Sequence, residues 1–421
     1  MAEPQLKIAL VALNSVGYQS LALGYLQSYA MADRRLAGKV GFQALDLDVG
    51  VDPWWVAYRV LNLGPDVVGF SVTCWNARQV YEACRIIGIA RPETAIVLGG
   101  PEVGPIAEHV LRDNPHVRAV VRGEGEATFA ELLDTLLRGR RAWMVEGVTA
   151  RNGDEIVSAP DRALIEDLDA IPSPYLTGVL VPREGSAYLE TYRGCPHRCG
   201  YCYEGKGYPR IRSFSRERVA AEVEAVASAI DTFSFIDPVF NLTPDRLEWL
   251  SSLLAPWAAR GKRLHTVEVD IERIGAEEAA LLARAGAASV ETGPQSVGDE
   301  ALAVCRRGFD RERFAAGVAA CKAAGIAVEC DLIIGLPGDD AYDVLAGLRF
   351  IVGVDPGIVQ SSTLHVLPGT DLWDRAEELG LRYEPQPPHE VIATRGIEYA
   401  DLRRIEIMSL ALTTAYRARL E

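Results

Sequence analysis

The chain has 421 residues, 49% hydrophobic and 24% charged, which predicts a soluble globular protein of two or three domains. Its net charge of −15 repels nucleic-acid phosphates and anionic membrane surfaces, so we expect neither as a partner. Because no apolar stretch approaches the ~20 residues of a spanning helix and no signal-like region opens the chain, we expect a cytoplasmic protein.

Strand-like and helix-like segments alternate over residues 1–141, which we take as the first domain. The predicted strands are apolar runs at 7–13, 40–47, 67–72, 94–98 and 119–121. The predicted helices have apolar residues every three to four positions and cover 20–31, 53–63, 77–90, 106–113 and 126–137. This alternation predicts a doubly wound parallel sheet, which binds ligands at the carboxyl ends of its strands.

The alternation stops over residues 142–183, which contain a turn signal at 151–154 and a Pro-rich run at 171–175. We interpret this stretch as a linker with a small hairpin. A second alternating series then fills 184–375, and a short helical segment over 376–421 ends the chain, with one amphipathic helix predicted at 401–420.

The second series contains six βα units. Its predicted strands are 187–192, 232–236, 264–269, 289–292, 327–334 and 359–367. Its predicted helices are 215–229, 244–260, 276–285, 299–304, 311–324 and 341–352. Six such units form an open sheet or a partial (β/α)6 barrel, and in both folds a site belongs at the carboxyl ends of the strands.

Three of the eight cysteines, Cys195, Cys199 and Cys202, lie within eight residues of one another with C-x3-C-x2-C spacing. They follow the first strand of the second series on a loop that contains Gly and Pro. A structural zinc site needs four ligands, for which His197 could be proposed as the fourth. Three thiolates on one loop are more typical of a [4Fe–4S] cluster whose fourth iron is open to an exogenous ligand.

This segment resembles the signature of radical S-adenosylmethionine (SAM) enzymes, with Tyr201 at the aromatic position before the last cysteine. The resemblance implies a partial barrel of six units and an open iron that binds the amino and carboxylate groups of SAM. Segments 291–296, 333–338 and 364–370, at three later strand ends, resemble further motifs of this family. The resemblance implies SAM contacts from Tyr201, Asp237, Glu291, Gln295, Ser296, Gly335, Leu336, Leu367 and Pro368.

The ends of the second and third strands of this series are less typical. Many family members have a Gly-Gly-Glu-like end on the second strand, whereas this chain has Asp237. Its carboxylate could accept a hydrogen bond from an ammonium group, or the residue could be an N-cap or turn residue before a helix. After the third strand, alternation places three carboxylates on one side of the chain, either towards the barrel or in surface ion pairs. They are Glu268, Asp270 and Glu272.

The first domain has no G-x-G-x-x-G run after its first strand, so a nicotinamide cofactor is unsupported. Together with the barrel it resembles the Rossmann-like cobalamin-binding domain fused to many radical SAM enzymes, through segments 71–76, 98–103 and 122–126. The residues that this resemblance assigns to cobalamin are Ser15, Ser71, Thr73, Trp75, Asn76, Gly99, Gly100, Glu102, Gly123 and Gly125.

Two alternatives accompany that assignment. Trp75 could instead be a core aromatic residue, and the neighbouring Cys74 a small buried hydrophobe. The Asp-x-His-x-x-Gly loop of another type of cobalamin domain is absent, since the first histidine is His109. A bound cobalamin would therefore lack a histidine ligand from such a loop.

The sequence therefore predicts an enzyme that reductively cleaves SAM at a [4Fe–4S] cluster and transfers a methyl group, with cobalamin, to an unactivated carbon of a small molecule or natural-product intermediate. We expect an external one-electron reductant of flavodoxin or ferredoxin type. One alternative is 3-amino-3-carboxypropyl transfer from SAM, for example to a soft acceptor such as arsenic, with no cobalamin bound. A further alternative is a non-enzymatic metal-binding or regulatory protein.

Overall fold

The computed structural model describes residues 4–208 and 210–418. The chain divides into two compact units. The first comprises Met1–Ser186 with Phe214–Ala225, and the second comprises Ala187–Ser213 with Val226–Glu421. The domain boundaries that we drew from the sequence stay predictions.

The first unit contains seven strands in one sheet. The strands are β1 (Leu6–Asn14), β2 (Val40–Asp48), β3 (Val67–Ser71), β4 (Ala95–Gly99), β5 (Val117–Val121), β6 (Val148–Asn152) and β7 (Glu155–Ser158). Its helices are α1 (Leu21–Ala32), α2 (Pro53–Leu63), α3 (Ala77–Ala90), α4 (Ala107–Asp113) and α5 (Gly125–Leu137). Every predicted strand and helix of the first domain is therefore confirmed, with ends shifted by at most two residues.

The strand order is β2-β1-β3-β4-β5-β6-β7, with β1 to β5 parallel. Helices cover both faces, because alternate residues of β1 enter different hydrophobic clusters. Val11 packs in the cluster with α2, α3 and α4, whereas Leu10 packs in the cluster with α1 and α5. The order reverses between β1 and β3, which is the switch point where such sheets bind ligands. The predicted doubly wound sheet is confirmed.

The predicted hairpin is present as β6 and β7, but it is part of the sheet instead of a separate linker element. Strand β6 pairs antiparallel with β5, and β7 pairs antiparallel with β6. The turn signal around Gly153 lies between them, and this glycine has a φ of +66°.

The second unit is built on six parallel strands, with two short two-stranded pairs beside them. The strands are β8 (Tyr188–Leu189), β9 (Tyr192–Arg193), β10 (Arg212–Ser213), β11 (Thr232–Phe235), β12 (Arg263–Glu268), β13 (Ala287–Gln295), β14 (Ala327–Ile334), β15 (Ile358–Thr363), β16 (Arg382–Tyr383) and β17 (Val391–Ala393). The helices are α6 (Glu204–Gly207), α7 (Arg216–Ala229), α8 (Pro244–Ala258), α9 (Ala276–Arg284), α10 (Asp299–Val304), α11 (Arg311–Ala323), α12 (Ala341–Val354), α13 (Asp371–Asp374), α14 (Ala376–Leu379) and α15 (Tyr399–Ala418).

The main sheet of this unit has the order β15-β14-β13-β12-β11-β8, with each strand next to its predecessor in the βα series. Sequential parallel strands with intervening helices are the arrangement of the predicted partial barrel, which is confirmed. Burial alternates along β14, from an exposed Ala327 to a buried Ile334, so one face packs on helices and the other faces inwards.

Two segments differ from their predicted form. The first barrel strand, predicted at 187–192, is split into β8 and β9, and β9 pairs antiparallel with β10. Helix α7, predicted within the barrel series, begins in the first unit, where Arg218 donates to the carbonyl of Ile171 at 2.8 Å. The predicted terminal helix is α15, and residues 419 and 420 of that prediction lie outside the described residues.

Candidate functional site

A cavity of about 890 Å³ lies in the second unit at the carboxyl ends of the barrel strands. Its wall contains Cys195, Cys199 and Cys202 from the loop after β9, together with residues at the ends of β12 to β15. The fold therefore places the three predicted cluster thiols in one cavity, at the edge where parallel βα folds carry their sites.

Backbone contacts fix the loop that carries the cysteines. Gly194 has a φ of +102°, and a Cβ there would lie 2.8 Å from the carbonyl oxygen of Arg210, so only glycine fits. The N–H of Gly200 donates to the carbonyl of Cys305 at 2.8 Å, and the N–H of Leu372 donates to the carbonyl of Gly200 at 3.0 Å. The loop is thus held by two later segments of the chain.

Two side-chain contacts hold the same loop from the barrel. His197 Nε2 lies 3.5 Å from Asp270 Oδ2, and Arg307 Nη1 lies 3.8 Å from Cys199 Sγ. Burial alone would raise the pKa of Asp270, but the hydrogen bond from His197 and the nearby charges of His197, Arg273 and Arg307 together outweigh burial, and that pKa lies below its ordinary value. Asp270 therefore stays ionised beside the loop.

The donor set fits a [4Fe–4S] cluster. Burial raises the pKa of the Cys195 thiol to about 11 and also raises that of Cys202, so both thiols keep their protons until a bound cation displaces them. Over residues 4–208 and 210–418, no three His, Cys, Asp or Glu side chains converge as the ligands of a single metal ion would. A cluster that takes one iron per thiol does not need such convergence.

Carboxylates form much of the remaining wall. Burial raises the pKa of Glu268 to about 7, and the charge of Glu291 adds to this rise. Burial also raises the pKa values of Glu291 and Asp331, with the charge of Glu329 adding to the rise at Glu291 and the charge of Glu291 adding to the rise at Asp331. These groups face each other because β12, β13 and β14 are adjacent, with Glu268 in register with Glu291. An acidic, partly desolvated wall of this kind attracts a cationic ligand.

Several predicted site residues line this cavity. Tyr201, Glu291 and Gln295 are in the wall. Of the two alternatives for the carboxylates after the third strand, orientation towards the barrel is confirmed, since Glu268, Asp270 and Glu272 all line the cavity. The roles of these residues towards SAM stay predictions.

Asp237 occupies a different position. It lies between two wall residues, Ile236 and Pro238, but it is only 1% exposed and is not part of the cavity wall. It accepts from the Thr191 N–H at 2.8 Å and pairs with Arg246 Nη2 at 3.1 Å. Asp237 does not cap α8, whose N-cap is Thr243, but it does lie in the loop before that helix.

The remaining predicted SAM residues lie outside the wall. The Ser296 hydroxyl donates to Asp339 Oδ1 at 2.7 Å. A Cβ at Gly335 would lie 2.8 Å from Val391 Cγ1, so this turn packs on the C-terminal segment. Leu336 belongs to the hydrophobic cluster formed with that segment, Leu367 is half-buried and Pro368 is buried.

Four charged wall residues were missed from the sequence: Glu204, Arg307, Asp310 and Asp331. Asp331 could have been found, because the alternation along β14 puts it on the inner face. Glu204 lies in the short helix α6, and Arg307 lies between α10 and α11. In such short or irregular segments no periodicity predicts which way a side chain points.

In the first unit, the segments predicted to hold cobalamin follow β3, β4 and β5, at one edge of the sheet. Gly100 has a φ of +120°, and a Cβ there would lie 2.3 Å from the Val72 carbonyl oxygen, so this turn requires glycine. By contrast, a Cβ at Gly123 would meet nothing within 4 Å. The Thr73 hydroxyl is buried without a hydrogen-bond partner in the described part of the chain. An open backbone and an orphaned donor fit a large ligand with hydrogen-bonding groups.

A buried asparagine connects two strand ends at this edge of the sheet. Asn76 is 1% exposed, and its Nδ2 donates to the carbonyls of Leu13 at 3.0 Å and Ser71 at 3.2 Å. It thereby links the ends of β1 and β3 at the switch point. Trp75 is 59% exposed, so the alternative of a core aromatic is wrong. The other predicted cobalamin residues lie in the loops or element ends beside this edge: Ser15, Gly99, Glu102 and Gly125.

Two family models match separate parts of the chain. The model of the radical SAM superfamily matches residues 189–351, and the model of the B12 binding domain matches residues 31–133. Within the described residues, no helix is both long enough and apolar enough to cross a membrane.

The chain is similar to several methyltransferases. It is 28% identical over 337 residues to an uncharacterized methyltransferase of Pyrococcus horikoshii, covering 76% of this chain and 71% of that protein. It is 31% identical over 259 residues to the cobalamin-dependent radical SAM methyltransferase TokK of Streptomyces tokunonensis, covering 58% of this chain but only 37% of TokK. The fold resembles that of the radical SAM methyltransferase TsrM of Kitasatospora setae, with a TM-score of 0.71, 20% identity, and coverage of 96% and 82% of the two chains.

The fold and the three-thiol cavity define a radical SAM domain, and the doubly wound sheet is a B12-binding domain. The chain therefore combines the two domains, and in this combination it is similar to cobalamin-dependent radical SAM methyltransferases. The radical SAM domain implies a [4Fe–4S] cluster and SAM as cofactors, and the B12-binding domain supports cobalamin as a third. The similarity to methyltransferases supports an enzyme over the non-enzymatic alternative.

Proposed function

We propose that this chain is a cobalamin-dependent radical SAM methyltransferase that acts on an unactivated carbon of a small molecule or natural-product intermediate. The observation that carries the proposal is the convergence of three thiols and a row of carboxylates on one cavity at the strand ends. The similarity to methyltransferases supports methyl transfer over 3-amino-3-carboxypropyl transfer, which is not favoured.

Cys195, Cys199 and Cys202 would hold three irons of the cluster, and the loops after β3, β4 and β5 would hold cobalamin. The chemistry that these groups supply when bound is reductive cleavage of SAM to a hydrogen-abstracting radical and delivery of a methyl group. The protein's own residues position the reactants and limit the access of water. An external reductant of flavodoxin or ferredoxin type would provide the electron.

The wall carboxylates give the cavity a defined task in this proposal. SAM carries a sulfonium and an ammonium group, and both are attracted by ionised or hydrogen-bonding carboxylates such as Glu291 and Glu268. The raised pKa of Glu268 allows it to accept or donate a hydrogen bond near neutral pH. We therefore assign these side chains to the orientation of SAM.

A product assay tests the proposal. The cluster is reconstituted without oxygen, and reductant and SAM are added with and without hydroxocobalamin. Mass spectrometry should detect 5′-deoxyadenosine together with S-adenosylhomocysteine, the latter dependent on cobalamin. Formation of 5′-methylthioadenosine without cobalamin dependence would contradict methyl transfer and support the aminocarboxypropyl alternative.

A further inference from the structure

Arg307 holds a position in the cavity that the proposed function does not yet explain. Its Nη1 lies 3.8 Å from Cys199 Sγ, and its Nη2 donates to the Gly293 carbonyl on β13 at 2.7 Å. The buried Nε has no hydrogen-bond partner among the described residues. The guanidinium is therefore anchored to a barrel strand while one edge is directed at a thiol sulfur.

The charge of Arg307 is unusual for this wall. Among the wall residues, all of them in the described part of the chain, Arg307 is the single Arg or Lys, whereas seven side chains are carboxylic. The carboxylic residues are Glu204, Glu268, Asp270, Glu272, Glu291, Asp310 and Asp331. Negative charge around an iron–sulfur cluster disfavours its reduction, because reduction adds another negative charge.

A hydrogen bond from a cation to a ligand sulfur has the opposite effect. It withdraws electron density from the thiolate and stabilises the reduced cluster, and such bonds are among the factors that set cluster potentials. Arg307 contacts the sulfur directly and cannot lose its proton in the physiological range. The anchor at Gly293 keeps the guanidinium in place at little further cost in side-chain entropy.

We infer that Arg307 is a positioning residue that fixes the Cys199 thiolate and raises the reduction potential of the cluster. This inference rests on the proposed function, since it requires the cluster at Cys195, Cys199 and Cys202. Its neighbour Arg306 provides a matched comparison, because it holds the same loop through the Arg198 carbonyl at 3.2 Å and contacts no sulfur.

The experiment is a redox titration of the reconstituted full-length protein, monitored by electron paramagnetic resonance without SAM. Dithionite and mediators supply the electrons, and the omission of SAM removes any effect on SAM binding. We expect Arg307→Met to lower the equilibrium constant for reduction about tenfold, which is about 59 mV for a one-electron couple. Arg307→Lys should recover part of the shift, whereas Arg306→Met should keep the wild-type potential.

The outcomes separate this inference from the proposed function. A wild-type protein that assembles no cluster contradicts the proposed function itself. A wild-type cluster with an unchanged potential in Arg307→Met overturns only the role of Arg307, as does an equal shift in Arg306→Met. If Arg307→Met assembles no cluster, Arg307→Gln, which keeps an N–H donor without the charge, is titrated, and a wild-type potential there also overturns the inference.

Discussion

The main sheets of the two units differ in how many of their faces are covered by helices. In the first unit, residues Ile8 to Leu13 of β1 are all buried, because helices cover both faces of the sheet. In the second unit, β14 alternates between buried and partly exposed residues, because only one face packs on helices. The other face carries Asp331 into the cavity.

This difference indicates where each unit can bind a ligand. A sheet that is covered on both faces leaves only its strand-end loops, so the first unit depends on backbone features such as Gly100 and on Asn76. A barrel sheet with a free inner face can place side chains around a ligand, as the second unit does with thiols and carboxylates. Four substitutions test this contrast, in order of decreasing effect.

The largest effect should come from Cys199→Ala in the barrel cavity. Removal of one of three thiol ligands should abolish assembly of the four-iron cluster and, with it, the cleavage of SAM. Iron and sulfide analysis after anaerobic reconstitution measures the first effect directly. Cys321→Ala, at a fully buried position on α11, is the control and should keep wild-type iron. Equal iron contents in the two variants would contradict the assignment of the cluster to this cavity.

The second effect concerns a buried carboxylate that lies behind the wall. Asp237→Ala removes a fully buried carboxylate that pairs with Arg246 and accepts from the Thr191 N–H, and it should lower the free energy of unfolding by about 3–5 kcal/mol. Urea denaturation measures this loss, and Glu272→Ala, at a wall carboxylate, should cost far less. Unchanged stability combined with weaker SAM binding would instead identify Asp237 as a cofactor ligand.

The third effect tests the backbone of the first unit. Gly100→Ala puts a methyl group on the Val72 carbonyl at a positive φ, and we expect a loss of about 3 kcal/mol in unfolding free energy together with weaker cobalamin binding. Gly50→Ala is the matched control, since a Cβ there meets nothing within 4 Å. Hydroxocobalamin titration followed by absorbance measures binding. Equal behaviour of the two variants would show that this turn does not shape the site.

The last effect is a pH dependence in the turn between β14 and α12. Burial raises the pKa of Asp339 to about 7, so the folded protein holds a proton that the unfolded chain releases near pH 4. Stability from this residue is present below pH 4 and is lost as the pH rises to 7. Asp339→Asn should therefore gain about 3 kcal/mol over wild type between pH 4 and pH 7. Glu300→Gln, at an exposed position on the adjacent helix, should keep the wild-type pH profile in the same denaturation series.

Most of the fold was predictable because local periodicity reports burial. Helices α2, α3 and α10 have their predicted bounds, since each presents one apolar face to the sheet. The first barrel strand was not predictable in detail. It is interrupted near Thr191, whose N–H donates to Asp237, and the chain then pairs with β10. A hydrogen bond between residues 46 positions apart leaves no signal in the local pattern.

The amino-acid pattern was enough to predict the two βα series, the spacing of the three cluster cysteines and the glycine turns at the strand ends. These features are local, because periodicity, ligand spacing and positive φ act over a few residues. Three other features required the folded chain: the pairing of Asp237 with Arg246, the extension of the first sheet by the hairpin, and the contact of Arg307 with Cys199 across 108 positions. Those contacts arise only when distant segments pack together, so their charge and geometry depend on the folded chain.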